Sequence, residues 1–156
     1  MIKIEIPGWG NMDVENIVLD MNGTIATDGK IPPEVKEKIN SLSKRTKIYV
    51  LTADTQGTAG EEIRGMNVEL IRIPDEGSKG GKLAFLENVT PEATVAIGNG
   101  SNDELILKEA ALGIAVLGDE GMSVSTLQNA DVVVKNISHA LDLFLKPKRL
   151  IATLKE

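Results

Sequence analysis

Apolar positions along the chain fall into short strand-like runs separated by stretches of helical spacing. Ile2, Ile4 and Ile6 alternate with charged residues, the period-two signature of a half-exposed strand, and Pro7, Gly8 and Gly10 end the run. The segments 16–20 (NIVLD), 47–51 (KIYVL), 69–73 (ELIRI), 94–97 (TVAI), 113–116 (GIAV) and 131–134 (DVVV) read as buried strands. Between them, Pro32 and Pro33 open a helical segment to about Ser43, with Val35 and Ile39 at i, i+4 spacing. Further helices are expected over 81–88, 102–111, 122–129 and 137–145, and a last one after Pro147.

Strands alternating with helices of this length imply right-handed crossovers and a mainly parallel central sheet with helices on both faces, a three-layer Rossmann-like α/β fold. The 156 residues fit one domain spanning 1–156. Ligands on such sheets bind beyond the carboxyl ends of the strands. Asp20, Thr52, Gly98 and Asn99 stand at those ends and carry the interest.

Composition narrows the chemistry. Aromatics make up 3% of the chain, so the core rests on Ile, Val, Leu and Ala. There is no cysteine, which removes thiolate catalysis, disulfides and cysteine-based zinc sites and fits a reducing cytoplasm. A single histidine, His139, excludes a multi-histidine metal centre and is expected on a helix surface. Trp9, between two glycines, is expected to pack structurally. The formal charge of −6 argues against nucleic acid and anionic membrane as partners. No apolar run is long enough to span a bilayer, and the first residues look like a strand, not a signal peptide.

Two segments carry the candidate chemistry. In NIVLDMNGTIATDG a carboxylate, Asp20, ends a buried strand, with Gly23 and Thr24 in a tight loop after it. It is either a turn-forming aspartate or a functional group. In VAIGNGSNDELILKEAALGIA, Gly98 and Gly100 flank Asn99, and Asn102 and Asp103 open a helix. Glycines for the turn and an Asx cap would explain that segment by itself. They do not explain the threonine ending the 47–51 strand or the lysine at a helix start between the two segments. The run GSKGGK is no phosphate-binding P-loop: its spacing is one residue short, and Leu83 stands where a magnesium-binding hydroxyl belongs.

DMNGT from Asp20 to Thr24, Thr52 after YVL, Lys82 before LAFLE, and GNGSND from Gly98 to Asp103 occur in the order of the four motifs of the haloacid dehalogenase superfamily. The chain resembles that superfamily over nearly its whole length. It is most similar to P-type ATPase phosphorylation domains and their small soluble relatives. The resemblance implies a Mg²⁺-dependent phosphatase whose Asp20 attacks phosphorus and becomes an aspartyl-phosphate. Gly23 and Thr52 would bind the phosphoryl group, and Lys82 would neutralise it. The Asn22 carbonyl, Asp20, Asn99 and Asp103 would hold the metal directly or through water. Lys79 is the competing lysine. Asp54 and Gln56 are further candidates for contact with phosphate.

The chain departs from the family at two positions. Asn22 stands where family phosphatases carry an aspartate that protonates the leaving group, which predicts slow turnover or a persistent phosphoenzyme. Asn99 replaces a second aspartate, which predicts weaker metal binding. Both lie in Asn-Gly steps, so deamidation to aspartate is a possible source of activity. A weakened module that binds phosphate, Mg²⁺ or a partner protein is the alternative function. No segment has room for a cap domain, so the site should be open to a phosphorylated substrate or partner. TIATDGKI resembles the hairpin through which capless sugar-acid phosphatases assemble, which makes a homo-oligomer the expectation.

Overall fold

A computed structural model describes residues 1–54 and 57–156. Six strands form one parallel sheet: β3 (Asn16–Asp20), β4 (Lys47–Thr52), β5 (Glu69–Arg72), β6 (Thr94–Gly98), β7 (Leu112–Val116) and β8 (Val132–Val134), in the order β5-β4-β3-β6-β7-β8. Every pairing within it is parallel, with Asp20 opposite Leu51 and Leu19 opposite Ile97. The order reverses at β3, between β4 and β6. This is the switch point where a crevice opens above the carboxyl ends.

Strand alternation builds the two halves of the core. Ile17, Leu19, Ile48, Val50, Ile97 and Ile114 point to one face, packed with Val35 and Ile39 of α1 (Pro33–Leu42) and Leu141 and Phe144 of α6 (Ile137–Leu145). Val18 and Leu51 point to the other face, as do Ala96 and Ala115, under Leu86 of α3 (Ser78–Asn88) and Ile106 and Leu107 of α4 (Glu104–Glu109). The small residues of this second face let α4 approach closely. A Cβ on Gly113 would lie 2.1 Å from the Leu107 carbonyl oxygen. The result is the expected three-layer fold. No cap domain is inserted among the described residues.

The N-terminus departs from expectation. β1 (Ile2–Ile6) does not end in a loop. Through Gly8 and Trp9 it turns into β2 (Gly10–Val14), and the two form a separate antiparallel sheet. Ile2, Ile4, Ile6, Met12 and Val14 face the core, against which Trp9 also packs. GNMDV carries two apolar residues in five, and its partner strand, not its own pattern, makes it β. Two short helices complete the fold, α2 (Thr58–Glu62) and α5 (Val124–Asn129), followed after α6 by α7 (Pro147–Leu154). α2 was not legible because Gly57 and Gly60 interrupt any helical period. α3 starts at Ser78, after Gly77 at φ 70°, so Lys82 lies inside the helix and not at its opening. Among the described residues, no helix is long and apolar enough to cross a membrane.

Candidate active site

Asp20, the last residue of β3, is buried because its strand runs at the centre of the sheet. Lys82 reaches across from α3 and donates to Asp20 Oδ1 at 2.9 Å and to Asp103 Oδ1 at 2.7 Å. A third bond, at 3.0 Å, goes to Asn102 Oδ1, and Asn102 in turn donates to Ser78 Oγ at 3.1 Å. The ammonium is thus held on three oxygens, with a side-chain exposure of 5%. Lys79, the competing lysine, lies at the rim and pairs with Glu104 at 3.2 Å.

The loop after β6 is organised by Asp103. Its Oδ2 accepts the backbone N–H of Asn99 at 3.0 Å and of Gly100 at 3.1 Å. Gly98 makes this possible, since a Cβ there would lie 2.4 Å from the Asp103 carboxylate. Thr126, buried on α5, donates to the Gly100 carbonyl from behind. Asn99 Oδ1 accepts from Thr24 at 3.0 Å, and its amide donates to the Gly121 carbonyl at 3.2 Å. Thr24 also lies 3.4 Å from Asp20 Oδ2. Gly23, at φ 81°, brings the first loop against Asn99: a Cβ would lie 2.7 Å from the Asn99 amide nitrogen.

Asp20, Asn22, Thr52, Lys82, Asn99, Gly100 and Asn102 line one cleft of about 210 Å³. Thr52, at the end of β4, is buried and accepts the Asp54 N–H at 3.1 Å, while its hydroxyl proton has no acceptor among the described residues. Asn22 is exposed at the mouth. Gly23 does not line the cleft; it spaces the loop behind it. Asp103 is fully buried under the cleft floor, with both oxygens occupied. Gln56 lies outside the described residues, and His139 is exposed on α6. A larger cavity, about 480 Å³, lies at the opposite ends of the strands beside Glu15, Arg45 and Lys47, and none of the motif residues lines it.

The electrostatics are unbalanced in an informative way. Burial and the neighbouring Asp103 push the Asp20 carboxyl up to about 7, against the downward pull of Lys82. Burial penalises the Lys82 ammonium, but Asp20 and Asp103 outweigh it and hold its pKa above the usual lysine value. One buried cation therefore serves two buried carboxyl groups, and with both ionised one negative charge is in excess. The donor set beside it consists of hard oxygens: Asp20 Oδ2, Asn99 Oδ1 and the backbone of Asn22. This set fits a divalent hard cation such as Mg²⁺, which needs few carboxylates when phosphate and water complete its shell. No cluster of three or more acidic, histidine or cysteine side chains that could hold a metal ion is found among the described residues, so the set is poor in carboxylates.

Deamidation is opposed by the geometry. It requires the following backbone nitrogen to attack the asparagine side chain, yet the Gly23 N–H is bound to the Ala26 carbonyl at 2.8 Å and the Gly100 N–H to Asp103. Asp103, expected as a metal ligand, also braces the loop through the Asn99 and Gly100 N–H groups. The contacts of Thr24, Asn102 and Ser78 were not expected from the motifs. The GT and ND pairs within the motifs were the available signal.

Fold and motif order together are similar to those of haloacid dehalogenase superfamily phosphatases. No family profile matches the chain. A phosphatase of 3-deoxy-D-manno-octulosonate 8-phosphate from Moraxella catarrhalis, solved with magnesium, phosphate and the sugar acid, superposes with a TM-score of 0.72 at 13% identity, over 92% of this chain and 94% of that one. A soluble P-type ATPase-like phosphatase of Methanocaldococcus jannaschii is 28% identical over 145 residues, 89% of this chain and 52% of that protein. The chain thus spans about half of that relative. An uncharacterized protein of the same organism is 51% identical over 79 residues, 48% of this chain and 85% of that one.

Proposed function

We propose that the chain is a Mg²⁺-dependent phosphohydrolase in which Asp20 accepts the phosphoryl group. The observation that carries this is the convergence of Asp20, Thr52, Lys82 and Asn99, drawn from four separate segments, on one cleft at the sheet's switch point. Asp20 Oδ would attack phosphorus, the bond from phosphorus to the ester oxygen would break, and an aspartyl-phosphate would form. The Thr52 hydroxyl donates to a phosphoryl oxygen. Lys82, fixed by Asp103 and Asn102, keeps Asp20 oriented and offsets its charge. Asp20, Asn99 Oδ1 and the Asn22 carbonyl would hold Mg²⁺, with Asp103 behind them. When bound, the ion supplies positive charge against that of the phosphoryl oxygens.

Asn22 holds no transferable proton. The departing oxygen must then leave as an anion or take its proton from water, which favours good leaving groups such as acyl or aryl phosphates. The second step, attack of water on the aspartyl-phosphate with return of the Asp20 carboxylate, also lacks a base. The phosphoenzyme should therefore persist. Turnover of acetyl phosphate with and without Mg²⁺, in wild type and Asp20→Asn, tests the proposal. An inert wild type that traps no beryllium fluoride would remove it. Asn22 also favours a second reading, a module that holds a phosphoryl group as a signal. Thermal stabilisation by Mg²⁺ and phosphate without turnover would support that one.

A further inference from the structure

The phosphoryl cleft opens into a second cleft of about 400 Å³, lined by Met21, Gly29, Asp54 and Thr58, together with Asn22, Thr52 and Asp75, which line both. A substrate seated with its phosphate at Thr52 and Lys82 has this adjoining space for the rest of its body. We infer that this second cleft selects phosphate esters whose leaving group carries a protonated amine and no acid group. The inference rests on the phosphohydrolase reading of the same site.

Charge around the cleft decides the class. Asp54 and Asp75 are the charged side chains lining it among the described residues. Asp54 is held in place: its Oδ2 accepts from the Thr58 hydroxyl at 2.6 Å and from the Ala59 N–H at 2.5 Å. Asp75 is exposed just before α3, at the junction of the two clefts. No lysine or arginine lines the cleft among the described residues; Lys82 is paired with Asp20 and Asp103, Lys79 with Glu104 at the rim, and Arg72, opposite Thr52 on β5, is not in the lining. A carboxylate on the substrate would meet two carboxylates and no unpaired cation among these residues. An ammonium would meet two opposite charges, with the Thr58 and Asn22 side chains as further polar partners. Like-charge placement opposes one ligand as strongly as the opposite placement favours the other, so their affinities diverge. The cleft is thus unsuited to a sugar acid such as the one bound by the Moraxella protein, despite the shared fold.

The test uses three small esters that differ in one group: 2-aminoethyl phosphate, 2-hydroxyethyl phosphate and phosphoglycolate. Dissociation constants are measured by calorimetry on the wild-type full chain with Ca²⁺ in place of Mg²⁺, so that the oxygen donors stay intact while turnover is suppressed. The expected order is amine, then hydroxyl, then carboxylate, with about tenfold between the ends. Asp75→Asn should narrow this gap, and Asp75→Lys should close or reverse it. Equal affinities, a preference for the carboxylate, or a gap untouched by Asp75→Lys would each overturn the inference while leaving the phosphohydrolase reading intact. Failure of all three esters and of inorganic phosphate to bind would overturn both.

Discussion

Lys82 and Asp20 form an ion pair at 2.9 Å in which the side chains are 5% and 12% exposed, and the same ammonium is shared with Asp103 at 2.7 Å. Taking charges out of water costs several kcal/mol each, and the mutual attraction compensates only while every partner is present. The cluster thus loses stability when a member is removed.

Lys82→Met should leave two buried carboxylates facing each other. The expected loss is about 3–5 kcal/mol, or roughly 10 °C in Tm for a domain of this size. Denaturant and thermal melts in the presence of a chelator measure it. Adding Asp20→Asn to the same chain should recover a large part of the loss, because one of the opposed charges is gone. A double variant no more stable than the single one would refute the shared-cation account.

The pH dependence of the metal-free protein follows from Asp20. Its carboxyl lies at about 7 in the fold against 3.8 in the free residue. Between those values the folded protein keeps a proton that the unfolded chain has lost. Asp20 therefore contributes stability that is complete below about pH 4 and is lost as pH rises through about 7. Asp131, also raised by burial, acts in the same direction, whereas Glu34, Glu62 and Glu104 are lowered and lose their contributions in acid. Comparison with Asp20→Asn isolates the one group. The Tm of wild type minus that of the variant, in chelator, should fall between about pH 4 and 7 and level off above. A flat difference would contradict the burial argument.

Gly98→Ala places a methyl group where the Asp103 carboxylate sits, 2.4 Å away. Asp103 must move, releasing the Asn99 and Gly100 N–H groups and one oxygen of the Lys82 cradle. The expected cost is about 1–3 kcal/mol, with stabilisation by Mg²⁺ reduced or lost. Chemical denaturation with and without the metal reads both effects. Full retention of the metal response would show that Asp103 does not brace the site.

Asn22→Asp restores a proton donor at the cleft mouth without touching the core, since residue 22 is exposed. Turnover of poor leaving groups should rise by about 10²- to 10⁴-fold, and the phosphoenzyme should become short-lived. Rapid-quench measurement of the acid-stable phosphoprotein, beside steady-state rates, distinguishes the two effects. No change in either would remove Asn22 as the limiting group.

Much of this was written along the chain. The apolar runs located all six parallel strands to within one residue at each end, because a strand buried on both faces needs an unbroken apolar stretch that little else imitates. The placing of Asp20, Thr52 and Asn99 at or just beyond strand ends was equally legible, since strand ends on a parallel sheet face one crevice. The second strand of the N-terminal hairpin was not: Gly10–Val14 acquires its conformation from a partner, and five mostly polar residues carry no signal of it. Nor could the start of α3 be read through Gly77, Gly80 and Gly81, so the placement of Lys82 in mid-helix had to come from the fold.

Sequence alone determined the chemistry available at Asp20: a carboxylate ending a central strand, an amide in place of an acid two residues later, and a lysine and a second aspartate far along the chain. Tertiary structure decided what those groups do to one another. Asp20, Lys82 and Asp103 are 62 and 21 residues apart in sequence and meet only because β3, α3 and the turn after β6 pack at one end of the sheet. Burial there, which no local pattern encodes, turns an ordinary aspartate into one that holds its proton near neutrality, and it sets Asp103 beneath the loop after β6 as a brace for Asn99 and Gly100.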